Sequence, residues 1–387
     1  FQVMARPARV LAALFVAGTA FCVPHAPRAA PRRSPLAERR GSPDARPESW
    51  GSSAFVASTL GLVAVAAAVA RRAGDEDFAG FSYKTAFFFP GQGAQTVGMC
   101  KELTDEVPKA KEMFETASDI IGYDLLDRCV NGPKEELDKT AVSQPAIFVA
   151  SMAAVEKLRL EDPAAIDEAT VAMGLSLGEY SALSFAGALS FEDGVRITKV
   201  RGEAMQAAAD AVESGMVSVI GLDAEKTEAL CAKASEDSGK KIQVANYLCK
   251  GNYTVSGDKE ACAKLAEIAK PEFKARMAVP LAVAGAFHTD FMAPAVAKLE
   301  EVLSSVDLKK PQIPVVSNVD AKSHSDPEMI KAILAKQVTA PVQWETQMKD
   351  LAGSGSFERG FECGPGKVIA GIMKRIDKSA AANVTGV

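Results

Sequence analysis

The sequence has few of the residues that build metal centres and disulfide frameworks. Only three of its 387 residues are histidines, and its seven cysteines are scattered along the chain without a single CxxC pair. A structural zinc site or a disulfide framework needs such residues in closely spaced groups. We therefore expect neither a metal site nor a disulfide framework in this protein.

Positive charge is also scarce in most of the chain. Residues 1–74 contain ten arginines and three acids, a net charge of +7, whereas residues 75–387 contain 34 basic and 46 acidic side chains, a net charge of −12. Proteins that bind nucleic acids present a cationic face to the phosphate backbone, and single-strand binders add stacking aromatic side chains. The acidic body has neither feature, so we expect no nucleic-acid partner.

Residues 1–80 have the composition of a targeting segment. Two arginines precede an apolar run over residues 10–23, residues 24–50 are rich in Arg, Pro, Ala and Ser, and a second apolar run covers residues 54–70. A charged segment followed by an apolar run is typical of a signal peptide, and an acid-poor stretch is typical of a transit peptide. This tandem arrangement resembles the bipartite presequences of complex plastids. We therefore predict a plastid location, with membrane contact only through this presequence; a mitochondrial leader and a membrane-anchored secretory protein are the alternatives.

From residue 83 onward, short apolar runs alternate with longer amphipathic stretches. This alternation is typical of parallel strands joined by crossover helices, and it predicts an α/β fold. The predicted strands cover residues 85–89, 170–173, 315–318 and 357–362, and the predicted helices cover residues 97–117, 144–158, 179–186, 191–213 and 284–304.

The pattern changes between residues 214 and 281. Two short strands, two helices and a hairpin follow one another there, which predicts a small α+β insert. The large domain then consists of residues 81–213 and 282–380.

The most informative local motif is GLSLG, residues 174–178, a GxSxG sequence between a predicted strand and a predicted helix. The small residues permit a strained turn that exposes the serine hydroxyl, and the helix N-terminus directs N–H groups toward a developing anion. The motif therefore predicts Ser176 as a nucleophile. The alternative is a glycine-bounded turn with an inert serine.

A serine nucleophile needs a neighbouring base, which is usually a histidine. His288 follows an apolar run, whereas His324 lies in a polar loop, so His288 is the better candidate; alone, it would more often be a hydrogen-bonded core histidine. The acids between Ser176 and His288 lie in charged segments, and none suits a catalytic triad. A dyad in which a carbonyl or an amide holds the histidine remains chemically workable.

Five short blocks are distributed along the chain: FPGQGAQ at 89–95, GLSLGEY at 174–180, GAFH at 285–288, PVQW at 341–344 and GPGKV at 364–368. In this order they resemble the malonyl-CoA:acyl carrier protein transacylases of type II fatty acid synthesis. The match spans about residues 84–376, and the acyltransferase domains of polyketide synthases are also similar. The resemblance implies a large α/β-hydrolase-like domain with a parallel sheet and a small ferredoxin-like subdomain.

The resemblance also implies catalytic roles. Ser176 would carry the malonyl group as an ester, and His288 would be the base. A main-chain carbonyl near Gln337 would orient the histidine. The backbone N–H groups of Gln92 and Leu177 would form the oxyanion hole.

Further positions carried over from the family concern substrate binding. Arg201 would grip the malonyl carboxylate, since a guanidinium offers two parallel donors to a carboxylate. From the sequence alone, a solvated helix arginine paired with Glu203 is the alternative. Gln144, Asn246 and Phe287 would line the pocket, and the bulky Phe287 resembles the pattern of malonyl-selective members.

This sequence departs from the family at two positions. Leu175 stands where many bacterial relatives have a histidine, and Leu248 stands where a second asparagine is common. The departure at Leu175 leaves the implied chemistry unchanged, and the departure at Leu248 concerns the contacts made by the small subdomain.

The function implied is transfer of the malonyl group from malonyl-CoA to the phosphopantetheine thiol of acyl carrier protein. The chemistry needs no metal and no redox cofactor. A free-standing acyltransferase that loads a polyketide synthase is the nearest alternative, and a serine esterase or thioesterase is a second. A binding scaffold without activity is a third.

Overall fold

The computed structural model describes residues 78–387. The predicted presequence therefore lies outside the described residues, apart from its last three positions. Among residues 78–387, no helix combines the length and the apolar composition that crossing a membrane requires.

The described residues form two separate sheets flanked by helices. The strands are β1 (Thr85–Phe89), β2 (Val171–Gly174), β3 (Ser214–Ile220), β4 (Ile242–Cys249), β5 (Asn252–Asp258), β6 (Met277–Pro280), β7 (Val315–Val316), β8 (Arg359–Glu362) and β9 (Val384–Gly386). The helices are α1 (Lys101–Glu106), α2 (Pro108–Ile121), α3 (Leu125–Asn131), α4 (Lys134–Leu137), α5 (Thr140–Glu161), α6 (Pro163–Asp167), α7 (Gly178–Phe185), α8 (Phe191–Asp210), α9 (Ala224–Ser238), α10 (Lys259–Ala269), α11 (Ala293–Ser305), α12 (Pro327–Gln337), α13 (Trp344–Gly353), α14 (Val368–Ile376) and α15 (Lys378–Ala382).

The larger sheet has five parallel strands in the order β7-β2-β1-β8-β9. Its central strand β1 is buried along its whole length, as expected for a parallel sheet covered on both faces. Phe87 and Phe89 pack into the main core on one face, while Ala86 and Phe88 pack on the other face with Trp344. Because side chains alternate along a strand, this one apolar run supplies both halves of the core.

The smaller sheet is antiparallel, with the strand order β4-β5-β3-β6. The chain order β3-α9-β4-β5-α10-β6 and this strand order are those of a split βαβ, or ferredoxin-like, unit. The unit has its own core, in which Val219 and Val255 of the sheet meet Leu230 and Leu265 of the two helices. The predicted fold class, a parallel α/β sheet with a small α+β insert, is confirmed.

Two of the predicted helices differ from the structure. The helix predicted over residues 97–117 is two helices, α1 and α2, because Pro108 begins a new helix and restricts the residue before it. The helix predicted over residues 284–304 begins only at Ala293, after a short 3₁₀ turn at Asp290–Met292. The residues before it form a loop in which His288 has a φ of +59°, a value that no α-helix accommodates.

A close crossing of backbones fixes the start of α7. A β-carbon added at Gly178 would lie 2.1 Å from the main-chain oxygen of Phe89. Main-chain atoms of a buried strand cannot move aside as a flexible side chain can. Glycine is therefore required where this helix meets the carboxyl end of β1.

We expect Gly178→Ala to lower the free energy of unfolding by about 1–3 kcal/mol, the usual cost of overpacking a close contact. Urea unfolding followed by circular dichroism measures the change. Gly371→Ala is the matched control, since Gly371 also lies in a helix but nothing lies within 4 Å of its added β-carbon. The control should gain about 0.5–1 kcal/mol from helix propensity. Equal stability of the two variants would contradict the proposed crossing constraint.

Candidate active site

Ser176 lies in the sharp turn between the end of β2 and the start of α7. Its φ of +53° is in the left-handed region, which is costly for a residue with a side chain. Asn318, two residues beyond β7, holds this turn from the side. Its Oδ1 accepts a hydrogen bond from the Ser176 N–H at 2.5 Å, and its Nδ2 donates to the Gly174 carbonyl at 2.7 Å. The turn is thus fixed from the neighbouring strand.

The imidazole of His288 faces the Ser176 hydroxyl. The distance from Ser176 Oγ to His288 Nε2 is 2.8 Å, and His288 Nδ1 lies 2.9 Å from the main-chain oxygen of Gln337. A carbonyl oxygen can only accept, so Nδ1 carries the proton and Nε2 presents its lone pair to the hydroxyl. The two residues therefore form a dyad whose histidine is oriented by a carbonyl.

The environment keeps His288 neutral. Its side chain is buried, and burial, together with the positive charge of Arg201, lowers the pKa of the imidazole to about 4. Hydrogen bonding to the Gln337 carbonyl opposes this shift but does not cancel it. At neutral pH the imidazole is therefore in the form that can accept a proton.

Arg201 projects from α8 into the same site and is only 1% exposed. Its Nη1 donates to Gln144 Oε1 at 2.7 Å, and its Nη2 donates to Gln337 Oε1 at 2.9 Å and to Ser176 Oγ at 3.2 Å. These contacts exclude the alternative of a solvated arginine, and Glu203 is exposed elsewhere on the helix.

No carboxylate forms an ion pair with Arg201 within residues 78–387, and burial lowers the pKa of its guanidinium. Within the same residues, the Nε of Arg201 is buried without a hydrogen-bond partner. The centroid of the Tyr180 ring lies 5.4 Å from the guanidinium carbon. A buried charge without a counterion is costly. This site is therefore suited to an anionic ligand that brings the missing charge.

The backbone N–H groups of Gln92 and Leu177 are the two predicted oxyanion donors. Gln92 lies in the turn after β1, and Leu177 directly follows Ser176; neither N–H has a hydrogen-bond partner in the part of the chain that the structure describes. The Gln92 side chain points elsewhere and donates to Thr140 Oγ1 at 3.1 Å. Main-chain donors are normally paired, so two unpaired donors in the turns beside a nucleophile are suited to a transient oxyanion.

The other predicted pocket residues differ in their placement. Gln144 contacts Arg201 directly, and its Nε2 lies 3.4 Å from Met205 Sδ. Phe287 is 6% exposed and packs into the main core beside the loop of His288. Asn246 lies half-buried on β4, and within the described structure its side chain makes no hydrogen bond to the residues of the dyad or to Arg201.

Sequence reasoning missed Asn318 and Glu179. Both follow the carboxyl end of a parallel strand, where the functional groups of open α/β sheets usually gather, so their position was an available signal. Glu179 is 3% exposed, and its Oε2 accepts hydrogen bonds from Gln337 Nε2 at 2.7 Å and from the Asn318 N–H at 3.0 Å. His324, the other histidine of residues 78–387, is not part of the dyad; its Nε2 lies 3.0 Å from Asp320 Oδ2.

Comparison with known proteins agrees with this geometry. Residues 86–365 match the family model described as an acyl transferase domain. The human "Malonyl-CoA-acyl carrier protein transacylase, mitochondrial" is 42% identical over 306 residues, which is 76% of this chain and 78% of the human protein. The Bacillus subtilis malonyl CoA-acyl carrier protein transacylase is 40% identical over 295 residues, 76% of this chain and 91% of that protein.

Solved structures of malonyl transacylases are also similar to this chain. The malonyl CoA-acyl carrier protein transacylase of Coxiella burnetii superposes with a TM-score of 0.73 at 34% identity, covering 79% of this chain and 94% of that chain. A malonyl-transacylase in complex with a type II polyketide synthase acyl-carrier protein superposes with a TM-score of 0.72 at 35% identity, covering 78% and 94%. The resemblance inferred from the five sequence blocks is confirmed, and the chain belongs to the acyl transferase family, among the malonyl-CoA:acyl carrier protein transacylases.

Proposed function

We propose that this protein transfers the malonyl group of malonyl-CoA to the phosphopantetheine thiol of an acyl carrier protein. The observation that carries the proposal is the contact of one hydroxyl, Ser176 Oγ, with both a neutral base and a buried guanidinium. A simple esterase needs the base but has no use for a buried cation. A substrate that is both a thioester and a carboxylate uses both groups.

In the first half-reaction, Arg201 binds the malonyl carboxylate and holds the thioester carbonyl beside Ser176. His288 Nε2 takes the hydroxyl proton while Oγ forms a bond to the carbonyl carbon. The N–H groups of Gln92 and Leu177 stabilise the resulting oxyanion. The carbon–sulfur bond then breaks, and His288 returns the proton to the departing CoA thiolate.

The second half-reaction reverses these steps with a different thiol. The phosphopantetheine thiol gives its proton to His288, and its sulfur attacks the malonyl ester. When the bond to Ser176 Oγ breaks, the serine oxygen takes the proton back from His288. Protons and bonds balance without any other reactant, so we propose that the enzyme uses no cofactor.

Intact-mass analysis tests the proposal. Residues 78–387 mixed with malonyl-CoA should gain one malonyl group, and addition of a holo acyl carrier protein should move that group to the carrier. Release of free malonate at the same rate without a carrier would instead indicate a thioesterase. Apo carrier protein, which lacks the phosphopantetheine thiol, is the control.

A polyketide carrier is the second candidate acceptor. The structural likeness to a malonyl-transacylase solved with a type II polyketide synthase acyl-carrier protein supports it. The same Ser176, His288 and Arg201 would serve either carrier. Comparing the loading rates of fatty acid and polyketide carrier proteins from the same cell distinguishes the two pathways.

The lowered pKa of His288 predicts how the rate of acylation depends on pH. Because the imidazole stays neutral above its pKa of about 4, the rate of malonyl-enzyme formation should hold at pH 5–6 and fall only as the pH drops through about 4. An ordinary histidine, with a pKa of about 6.5, would already be mostly protonated at pH 5.5. Rapid-quench mass analysis between about pH 3 and about pH 8 measures the profile on both sides of the expected midpoint. A midpoint near 6.5 would contradict the neutral-base assignment.

We also propose that the enzyme consists of a large subdomain, residues 81–213 and 282–380, and a small subdomain, residues 214–281.

Residues 1–80, we further propose, direct the protein to a plastid. The tandem order of the two apolar runs supports a plastid, while the mitochondrial name of the human relative keeps a mitochondrion as the alternative. Fusing residues 1–80 to a fluorescent protein in a plastid-bearing cell distinguishes these destinations.

A further inference from the structure

Glu179 takes no part in the chemistry described above, yet its carboxyl group is buried directly beneath the site. It lies in the first turn of α7, three residues after Ser176. One oxygen, Oε2, accepts both of its hydrogen bonds, from Gln337 Nε2 and from the Asn318 N–H. Burial raises the pKa of this carboxyl group to about 7. Burying a carboxyl group costs free energy of folding, so its contacts are the place to look for its role.

The contact with Gln337 decides which way the glutamine amide faces. Gln337 Nε2 donates to Glu179 and to the main-chain oxygen of Ser176 at 3.1 Å, so Oε1 is left to accept from Arg201 Nη2. The reversed amide would set its NH₂ group against the guanidinium and its oxygen against an acceptor. Both of those pairings are unfavourable. Glu179, together with the Ser176 carbonyl, therefore favours the amide orientation in which Arg201 meets an acceptor.

The same glutamine also holds the base. Its main-chain oxygen is the partner of His288 Nδ1, so the orientation of the imidazole depends on where Gln337 lies. Asn318, the second partner of Glu179, holds the N–H of Ser176 through its side chain. The contacts of one carboxyl oxygen thus lead, each through a single intervening residue, to Ser176, His288 and Arg201.

We propose that Glu179 is a positioning residue that holds Ser176, His288 and Arg201 in their mutual arrangement through Gln337 and Asn318. It touches none of the reacting atoms. Its role depends on the position of one acceptor oxygen, Oε2, and not on a negative charge. The other oxygen, Oε1, can carry a proton while Oε2 keeps both of its hydrogen bonds. The proposal rests on the serine–histidine chemistry proposed above.

Two substitutions distinguish the position of the Glu179 acceptor oxygen from the charge of its carboxyl group. Glu179→Gln keeps an acceptor oxygen at the same distance and removes the charge. Glu179→Asp keeps the charge and withdraws the oxygens by one methylene. A role in positioning predicts that the Gln variant works and the Asp variant does not, whereas an electrostatic role predicts the opposite order.

The first readout is the rate at which a fluorophosphonate labels Ser176, which needs the nucleophile and its base but no malonyl group. We expect Glu179→Gln to react within about threefold of the wild type. Glu179→Asp should react about 10- to 100-fold more slowly, the effect of a misplacement of roughly 1 Å. Steady-state kcat for malonyl transfer should fall by the same factor. Urea unfolding of both variants measures whether the fold is kept.

An Asp variant that labels as fast as the wild type would overturn the proposal, and so would a Gln variant that is as slow as the Asp variant. If Glu179→Asp does not fold, the Gln variant still decides, since a loss greater than tenfold there contradicts a role through the position of the acceptor oxygen alone. Failure of the proposed function has a different signature: the wild type would react with the fluorophosphonate but acquire no malonyl group.

Discussion

Ser176→Ala is expected to abolish the malonyl-enzyme and to lower kcat by about four to six orders of magnitude, as loss of the nucleophile does in serine enzymes. The reason is local. Within the described site, Ser176 Oγ is the hydroxyl that faces His288 Nε2, and no other group lies at that position to take its place. Intact-mass analysis after mixing with malonyl-CoA measures the adduct, and carrier loading measures the rate.

Ser181→Ala is the matched control for this substitution. Ser181 lies on α7, the helix that begins just after the nucleophile, and its hydroxyl is buried without a partner in the described structure. Its removal should leave both the adduct and the rate close to those of the wild type. A malonyl adduct that persists in Ser176→Ala would identify another residue as the nucleophile.

Arg201→Ala is expected to reduce malonyl transfer by about 100- to 30,000-fold, because two charge-assisted hydrogen bonds to a carboxylate contribute about 3–6 kcal/mol. Acetyl transfer should change far less, since an acetyl group has no carboxylate to bind. Parallel assays with malonyl-CoA and acetyl-CoA give the ratio. Arg201→Lys should restore little of the malonyl activity, because an ammonium cannot reproduce the two parallel donors.

Arg196→Ala controls for the loss of a positive charge on the same helix. Arg196 is about half exposed and pairs with Asp193 at 2.7 Å, so its replacement should leave both transfer rates close to those of the wild type. Unfolding curves are needed for Arg201→Ala, because a buried side chain is being removed. Equal losses of malonyl and acetyl transfer would remove the carboxylate-binding role from Arg201.

The nucleophile and the base could be predicted because their signals are local. GxSxG between a strand and a helix specifies the turn at Ser176, and few histidines compete with His288. The strand at residues 85–89 was predicted to the residue, because a short apolar run that ends directly at a proline and a glycine leaves little ambiguity, and all five residues are buried in the structure. The identity of the base partner, the Gln337 carbonyl, came from the family resemblance and not from any pattern in the residues.

Other features depended on contacts between distant parts of the chain. The burial of Arg201 results from the packing of α8 against α5, and a helix pattern rich in charged residues does not reveal it. Asn318 reaches Ser176 across 142 positions of sequence. The loop before α11 was predicted as helix because its residues are apolar, but His288 adopts a left-handed conformation there, with its ring between Ser176 Oγ and the Gln337 carbonyl. β9, which the sequence analysis did not predict, is only three residues long and is recognisable by its pairing with β8.

The contact between the small sheet and the later part of the chain has a consequence for aggregation. The Val342 N–H donates to the Ala245 carbonyl at 2.8 Å, and the Tyr247 N–H donates to the Val342 carbonyl at 2.9 Å, so Val342 covers the middle of the outer edge of β4. Open strand edges are templates for pairing with other molecules. A polypeptide released before residue 341 would leave those hydrogen-bonding groups bare. Incomplete translation products of this protein should therefore be prone to aggregate through the part of the β4 edge that Val342 pairs with in the full-length chain.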